Sequence, residues 1–148
     1  MNILVTSVAP EDLGSLRGFL EEASREGELL PEEFVGRLRA SVASEAMEIM
    51  AASIDGRTVG VVVVAYRPNI SVAADFASIE ELYVHPGARG RGIGRALLDA
   101  VGERCVDLGV SYVEVQTDDE ASGFYAALGY EEEVGVRVMS QSLMICRE

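Results

Sequence analysis

The chain predicts a mixed α/β domain of the α+β class: a mostly antiparallel sheet of about seven strands with helices on both faces. Three observations carry this expectation. Strand-like and helix-like segments follow one another in the order β-α-α-β-β-β-α-β-α-β-β. Asp55-Gly56, set between two apolar runs, is a strong two-residue hairpin signal. Ile93, Leu97, Ala100, Val101, Cys105 and Leu108 recur on one helical face, opposite Asp99, Glu103 and Asp107.

Asn2 to Val8 alternates like a short first strand. Ala9-Pro10-Glu11-Asp12 opens a helix to about Arg25, with proline and acids placed early, where the helix dipole favours them. Gly27 ends it, and Pro31-Glu32-Glu33 starts a second helix to about Ala43. Met47 to Ile54 and Thr58 to Arg67 form the hairpin strands, and a further strand runs from about Ala77 to Val84. After the long helix, Ser111 to Thr117 reads as a strand, followed by a short helix that Gly129 ends. Glu131 to Glu133 and Val136 to Ile145 read as two closing strands.

At 148 residues the chain predicts one domain over residues 1–148, with no repeat or long linker. No apolar run approaches the roughly 18–20 residues that span a bilayer, and no secretory signal opens the chain. Cys105 and Cys146 have no metal-ligand or redox spacing, so no metal is expected and a cytoplasmic location follows. The net charge of −13 argues against nucleic acid as a partner. It suits a cationic substrate drawn to acidic walls, and equally a merely soluble surface. The oligomeric state stays open between monomer and homodimer.

Function is concentrated in residues 82–95. An apolar strand ends at His85-Pro86, where proline stops the ladder. Gly87, Gly90, Gly92 and Gly94 follow, interleaved with Arg89 and Arg91, and Arg95 lies in the first turn of the helix. A helix start of this kind offers unpaired N–H groups and a partial positive charge, which bind phosphate oxygens. All twelve basic residues are arginine, so a Walker A loop, which needs lysine, is excluded. A dinucleotide fingerprint would need glycine where Arg95 or Leu97 stands.

Arg89-x-x-Gly92-x-Gly94, after Glu-Leu-Tyr-Val-His-Pro, closely resembles the acyl-coenzyme A loop of the GCN5-related N-acetyltransferase (GNAT) superfamily, whose pattern is Gln/Arg-x-x-Gly-x-Gly/Ala. Ala121, Phe124, Tyr125, Gly129 and Tyr130 match the family's second signature, Ala-x-x-Phe-Tyr-x-x-x-Gly-Phe/Tyr. Where the family often carries Asn, this chain has Asp118. The resemblance covers roughly residues 46–146 and implies an acyl-CoA N-acyltransferase-like fold. In that fold the fourth and fifth strands run parallel and splay apart. The resemblance places the pantetheine arm of acetyl-CoA along the backbone of Leu82, Tyr83 and Val84. It places the pyrophosphate on Arg89, Gly90, Arg91, Gly92, Ile93, Gly94 and Arg95.

Acetyl transfer to an amine requires a base, an oxyanion donor and a proton for the departing thiolate. The resemblance puts Tyr125 in the last role. Glu80 and Glu81 are candidate bases; as neighbours on a strand they point to opposite faces. Period-2 alternation puts Glu81 with Ile79 and Tyr83, and Glu80 with Leu82 and Val84, leaving the choice of base open. Asp118 and Asp119 either bind a cationic acceptor or start the next helix. His85 reads as structural.

The expected activity is transfer from acetyl-CoA to a primary amine of a small, cationic acceptor. Residues 115–134 also resemble the corresponding stretch of aminoglycoside 3-N-acetyltransferases, which extends the expectation to aminoglycoside- or polyamine-like acceptors. The alternatives are a peptide or protein N-terminal acetyltransferase and a non-catalytic acyl-CoA-binding sensor.

Overall fold

Alternating apolar residues become a five-stranded sheet in the computed structural model, which describes residues 2–143. Strands β1 (Ile3–Ser7), β2 (Met47–Ile54), β3 (Arg57–Asn69), β4 (Ala74–Val84) and β5 (Val113–Val115) lie side by side in chain order. The first four pair antiparallel and β5 joins β4 in parallel. The helices are α1 (Leu13–Arg25), α2 (Glu32–Ala43), α3 (Ile93–Leu108) and α4 (Asp119–Ala127), with one-turn 3-10 helices at Pro10–Asp12 and Pro86–Ala88. The chain divides into two compact units, one reaching to Gln116 and one beginning at Thr117.

Asp55 and Gly56 both have positive φ, 51° and 78°, as a two-residue hairpin turn requires, and Ile54 pairs with Arg57 across it. Alternation along β3 then distributes the helices. Val61 and Val63 bury themselves with Ile49 against Leu13, Leu16 and Leu20 of α1, and Leu38 and Val42 of α2 pack on the same cluster. The opposite face receives α3, which buries Ile93, Leu97, Leu98, Val101 and Cys105. Gly60 allows that approach: a Cβ there would lie 3.0 Å from Ile93 Cγ2 and 3.1 Å from Leu97 Cδ1. Helices therefore cover both faces.

On the α3 face a buried carboxylate ties four elements together. Glu48 of β2 accepts from Ser7 of β1 (2.6 Å), Tyr66 of β3 (2.8 Å) and Arg104 of α3 (3.0 Å). Burial opposes its ionisation, but these three donors outweigh burial and hold its carboxyl below the usual range. Glu48→Gln is expected to lower the unfolding free energy by about 1–3 kcal/mol at pH 7, measured by urea denaturation. A depressed folded-state pKa contributes stability that is complete above the unfolded carboxyl pKa and is lost as pH falls through the folded value. The gap between wild type and variant therefore holds above about pH 5 and narrows progressively as pH falls below about 4. A gap undiminished at about pH 3 would assign the effect to shape rather than charge.

The strand count is a correction. Instead of about seven strands, five form among the described residues, and Tyr130–Leu143 contains no strand. Three adjacent acids, Glu131 to Glu133, disfavour pairing, and Gly135 turns the chain at φ 84°. Val134, Val136 and Val138 remain 94%, 66% and 69% exposed, so their alternation buries no face. Residues 144 and 145, the end of the second expected strand, lie outside the described residues.

Candidate active site

A β-bulge in β4 decides which glutamate faces which side. Val63 pairs with Glu81 but Val64 pairs with Ile79, so Glu80 is an extra residue without a partner on β3. Strict alternation had placed Glu81 with Ile79; the bulge separates them. Glu81 now shares the α1–α2 face with Val63 and Tyr83, while Ile79 and Leu82 share the α3 face with Val64 and Val62. Both glutamates are exposed. Glu81 lines a cavity of about 580 Å³ between the sheet and the first two helices, in the usual range for small-molecule sites. Its wall includes Leu20 of α1, Phe34 and Leu38 of α2, and Met47, Ile49 and Val63 of the sheet.

The connection from α1 to α2 that closes this cavity is pinned by ion pairs. Leu30 donates its N–H to the buried carboxylate of Glu21, and Arg17 donates to the Leu30 carbonyl and to Glu32. Arg17 also pairs with Glu21 at 3.3 Å.

On its other edge β4 soon loses its partner: pairing with β5 covers Ala77 to Ile79 only, while β4 continues to Val84. The hydrogen bond from His85 N–H to the Val59 carbonyl (2.8 Å) sets the parity of the β3–β4 ladder. By that parity Glu81 and Tyr83 turn their backbone groups toward β3, and Leu82 and Val84 turn theirs to the edge that β5 has left. The expectation that Tyr83 also presents its backbone there is therefore corrected. The Tyr83 ring meets Phe19 of α1 edge-on at 5.5 Å, and the Arg89 guanidinium lies 5.6 Å from its centre.

The loop that follows is fixed by two side-chain hydrogen bonds and two left-handed glycines. His85 Nδ1 accepts from Gly87 N–H (3.1 Å) and caps the 3-10 turn, which accounts for this histidine as structural. Arg89 Nε–H donates to the Val84 carbonyl (2.9 Å), bracing the loop against β4. Gly90 and Gly92 adopt φ of 78° and 81°, a left-handed conformation that L side chains rarely accept. Gly92 is the N-cap of α3, and its carbonyl accepts from Ala96 N–H at 3.0 Å. The amides of Ile93, Gly94 and Arg95 open the helix without acceptors one turn earlier. Ile93 is fully buried and anchors this end, whereas Arg91 and Arg95 are exposed. No acidic residue occupies the first turn of α3, so the partial positive charge is uncompensated there.

In the second unit, Asp118 Oδ1 accepts from Ala121 N–H (2.8 Å) and caps α4, and Asp119 stands in its first turn. Their helix-starting role is thus realised. Tyr125 is buried, with Phe124 and Tyr130 packed edge-on at 5.2 and 5.5 Å. Burial, and then the charge of Asp118, push its phenol above the ordinary tyrosine value. It holds its proton at neutral pH.

Several of these features escape a reading of motifs. Arg89 as a brace, and Glu33, Phe34 and Arg37 on the cavity wall, carry no spacing code. The bulge did leave a trace: in Ile79-Glu80-Glu81-Leu82 the apolar residues are three apart, which period-2 alternation does not allow on a single face.

The sheet order, the short parallel β4–β5 pair and the glycine-rich helix start together define an acetyltransferase-type domain. The family model of the acetyltransferase (GNAT) domain matches residues 19–144, and the chain belongs to this family. An uncharacterized N-acetyltransferase of Methanocaldococcus jannaschii is 39% identical over 66 residues, which are 43% of this chain and 29% of that protein. An aminoglycoside acetyltransferase from an uncultured soil metagenomic sample has a crystal structure similar to this one, with TM-score 0.81 and 24% identity over 96% of this chain and all of that one. The ribosomal-protein-alanine N-acetyltransferase of Brucella melitensis biovar Abortus 2308 is also similar, with TM-score 0.75 and 18% identity over 95% of this chain and all of that one. Among the described residues no helix is long and apolar enough to cross a membrane, and no cluster of His, Cys, Asp and Glu is suited to a metal ion.

Proposed function

We propose that the chain is a cytoplasmic N-acetyltransferase that uses acetyl-CoA and acts on the primary amine of a small molecule. The observation that carries this reading is the helix start at Gly92, with two left-handed glycines and no acid in its first turn, beside a β4 edge that β5 has left. Acetyl-CoA supplies an acetyl group activated as a thioester, with a thiolate to be released. The amides of residues 90–95, with Arg91 and Arg95, suit its pyrophosphate. Leu82 and Val84 offer N–H groups to the pantetheine arm and to the carbonyl oxygen on which negative charge develops.

Glu81 lines the cavity and is assigned as the base that takes a proton from the acceptor ammonium, directly or through one water. Glu80, displaced into the bulge, is not. Tyr125 is assigned the proton that neutralises the departing sulfur. Its place in the second signature and its firmly held proton support the role.

Gly92→Val tests the coenzyme assignment. A Cβ residue at φ 81° costs about 1–2 kcal/mol unless the backbone rotates and carries the amides with it. The variant is expected to stay folded, because the position opens into free space, and to bind acetyl-CoA about tenfold more weakly or worse. Unchanged affinity in the folded variant, by calorimetric titration, would remove the loop from the coenzyme site.

A second reading, a polycationic acceptor such as an aminoglycoside or polyamine, is favoured by the net charge of −13. Asp118 and Asp119 would then add acidic charge for the acceptor. Under that reading the acceptor KM, taken at saturating acetyl-CoA, rises steeply with added salt. A salt-independent KM would contradict it.

A further inference from the structure

Resting on the acetyltransferase reading, the cavity beside Glu81 also carries information about the acceptor. Among the described residues that line it, the only neutral polar side chain is Ser24; most of the rest are aliphatic or aromatic. The charged ones are Glu81, Glu33, Arg25 and Arg37. Arg25 is already committed: its guanidinium pairs with the Glu28 carboxylate at 3.3 Å and bonds the Glu28 carbonyl at 3.1 Å. Arg37 is different. Its guanidinium lies 5.5 Å from the centre of the Phe34 ring, and among the described residues it makes no ion pair, although Glu33 is one turn away on α2.

The cavity therefore offers carboxylates for an ammonium, an uncommitted guanidinium for an anion, and an apolar wall for the rest of the molecule. A polyhydroxylated, polycationic sugar matches this poorly. Its hydroxyls would face aliphatic carbon without partners, and a further ammonium would meet Arg37. We infer that the acceptor is an amphipathic primary amine that carries a carboxylate on an apolar body, of the class of a free α-amino acid with a large aliphatic or aromatic side chain. The ammonium lies toward Glu81, the carboxylate on Arg37 as a charge-assisted pair, and the side chain against Phe34, Leu38 and Ile49.

The reaction then forms an amide bond from the amine nitrogen to the acetyl carbon and breaks the thioester carbon–sulfur bond. The proton leaves the amine and the thiol is released.

The test compares L-phenylalanine, L-phenylalaninamide, spermidine and sisomicin as acceptors for wild type and Arg37→Met. Methionine keeps the apolar stem and the helix. Phenylalanine is expected to have a kcat/KM at least about tenfold above spermidine and sisomicin. In Arg37→Met the ratio of phenylalanine to phenylalaninamide is expected to fall by about tenfold. Preference for the polycations, or an unchanged ratio, overturns the inference and leaves the acetyltransferase reading intact. If no amine is acetylated, that reading fails instead. Calorimetric titration of phenylalanine then decides separately: binding that Arg37→Met weakens supports the inference, and no binding to wild type overturns it.

Discussion

Tyr125→Phe is expected to lower kcat by about 10²–10⁴-fold while coenzyme affinity stays within about twofold of wild type. Phenylalanine keeps the ring that packs on Phe124 and Tyr130 and removes only the hydroxyl. The loss belongs to kcat because the proton is needed only as the carbon–sulfur bond breaks. A general acid must be protonated, so activity falls as pH rises past its pKa. Burial raises the Tyr125 pKa, which carries that fall to higher pH than an ordinary tyrosine would, and the variant loses this limb. Rapid-quench measurement of the chemical step separates the effect from product release. A variant with wild-type kcat in that step would assign the proton to water.

Glu81→Gln is expected to lower kcat at pH 7 by a comparable factor, about 10²–10⁴-fold, for a different reason. At neutral pH an aliphatic amine is nearly all ammonium, and the ammonium cannot attack. Glutamine preserves the shape of the cavity wall but accepts no proton. The deficit should shrink as pH approaches the amine's own pKa, where the neutral nucleophile comes from solution. A pH-independent deficit would make Glu81 an orienting group and not a base. Glu80→Gln, at the bulge and outside the cavity wall, is expected to change kcat by less than about threefold. A larger effect there would exchange the two assignments.

The conformation of the loop was legible because a glycine-rich helix start is a local pattern, with glycine at positive φ and no acid in the first turn. Gly90, Gly92 and Arg91 through Arg95 state it within a few consecutive residues. The hairpin at Asp55-Gly56 and the apolar stripe of α3 were legible for the same reason, since each depends on neighbours in sequence. The side to which Glu81 points was not, because one extra residue in β4 inverts every later side chain and is defined by pairing with β3. Nor was the cavity: Phe34 and Arg37 lie on α2, far in sequence from Glu81, and tertiary packing alone brings them together. The closing strands failed in the opposite sense. Val134, Val136 and Val138 alternate correctly, yet an alternating segment becomes a strand only when one side of it is buried.

The central claim is acetyl transfer from coenzyme to amine, and the stoichiometry of products tests it most directly. Purified protein is incubated with acetyl-CoA and an amine, and the released thiol and the N-acetyl product are both quantified, the second by mass spectrometry. The account predicts thiol release that depends on the amine, one N-acetyl amide per thiol, and loss of both signals at low acetyl-CoA in Gly92→Val. Thiol released at the same rate without the amine, with acetate in place of the amide, would contradict it.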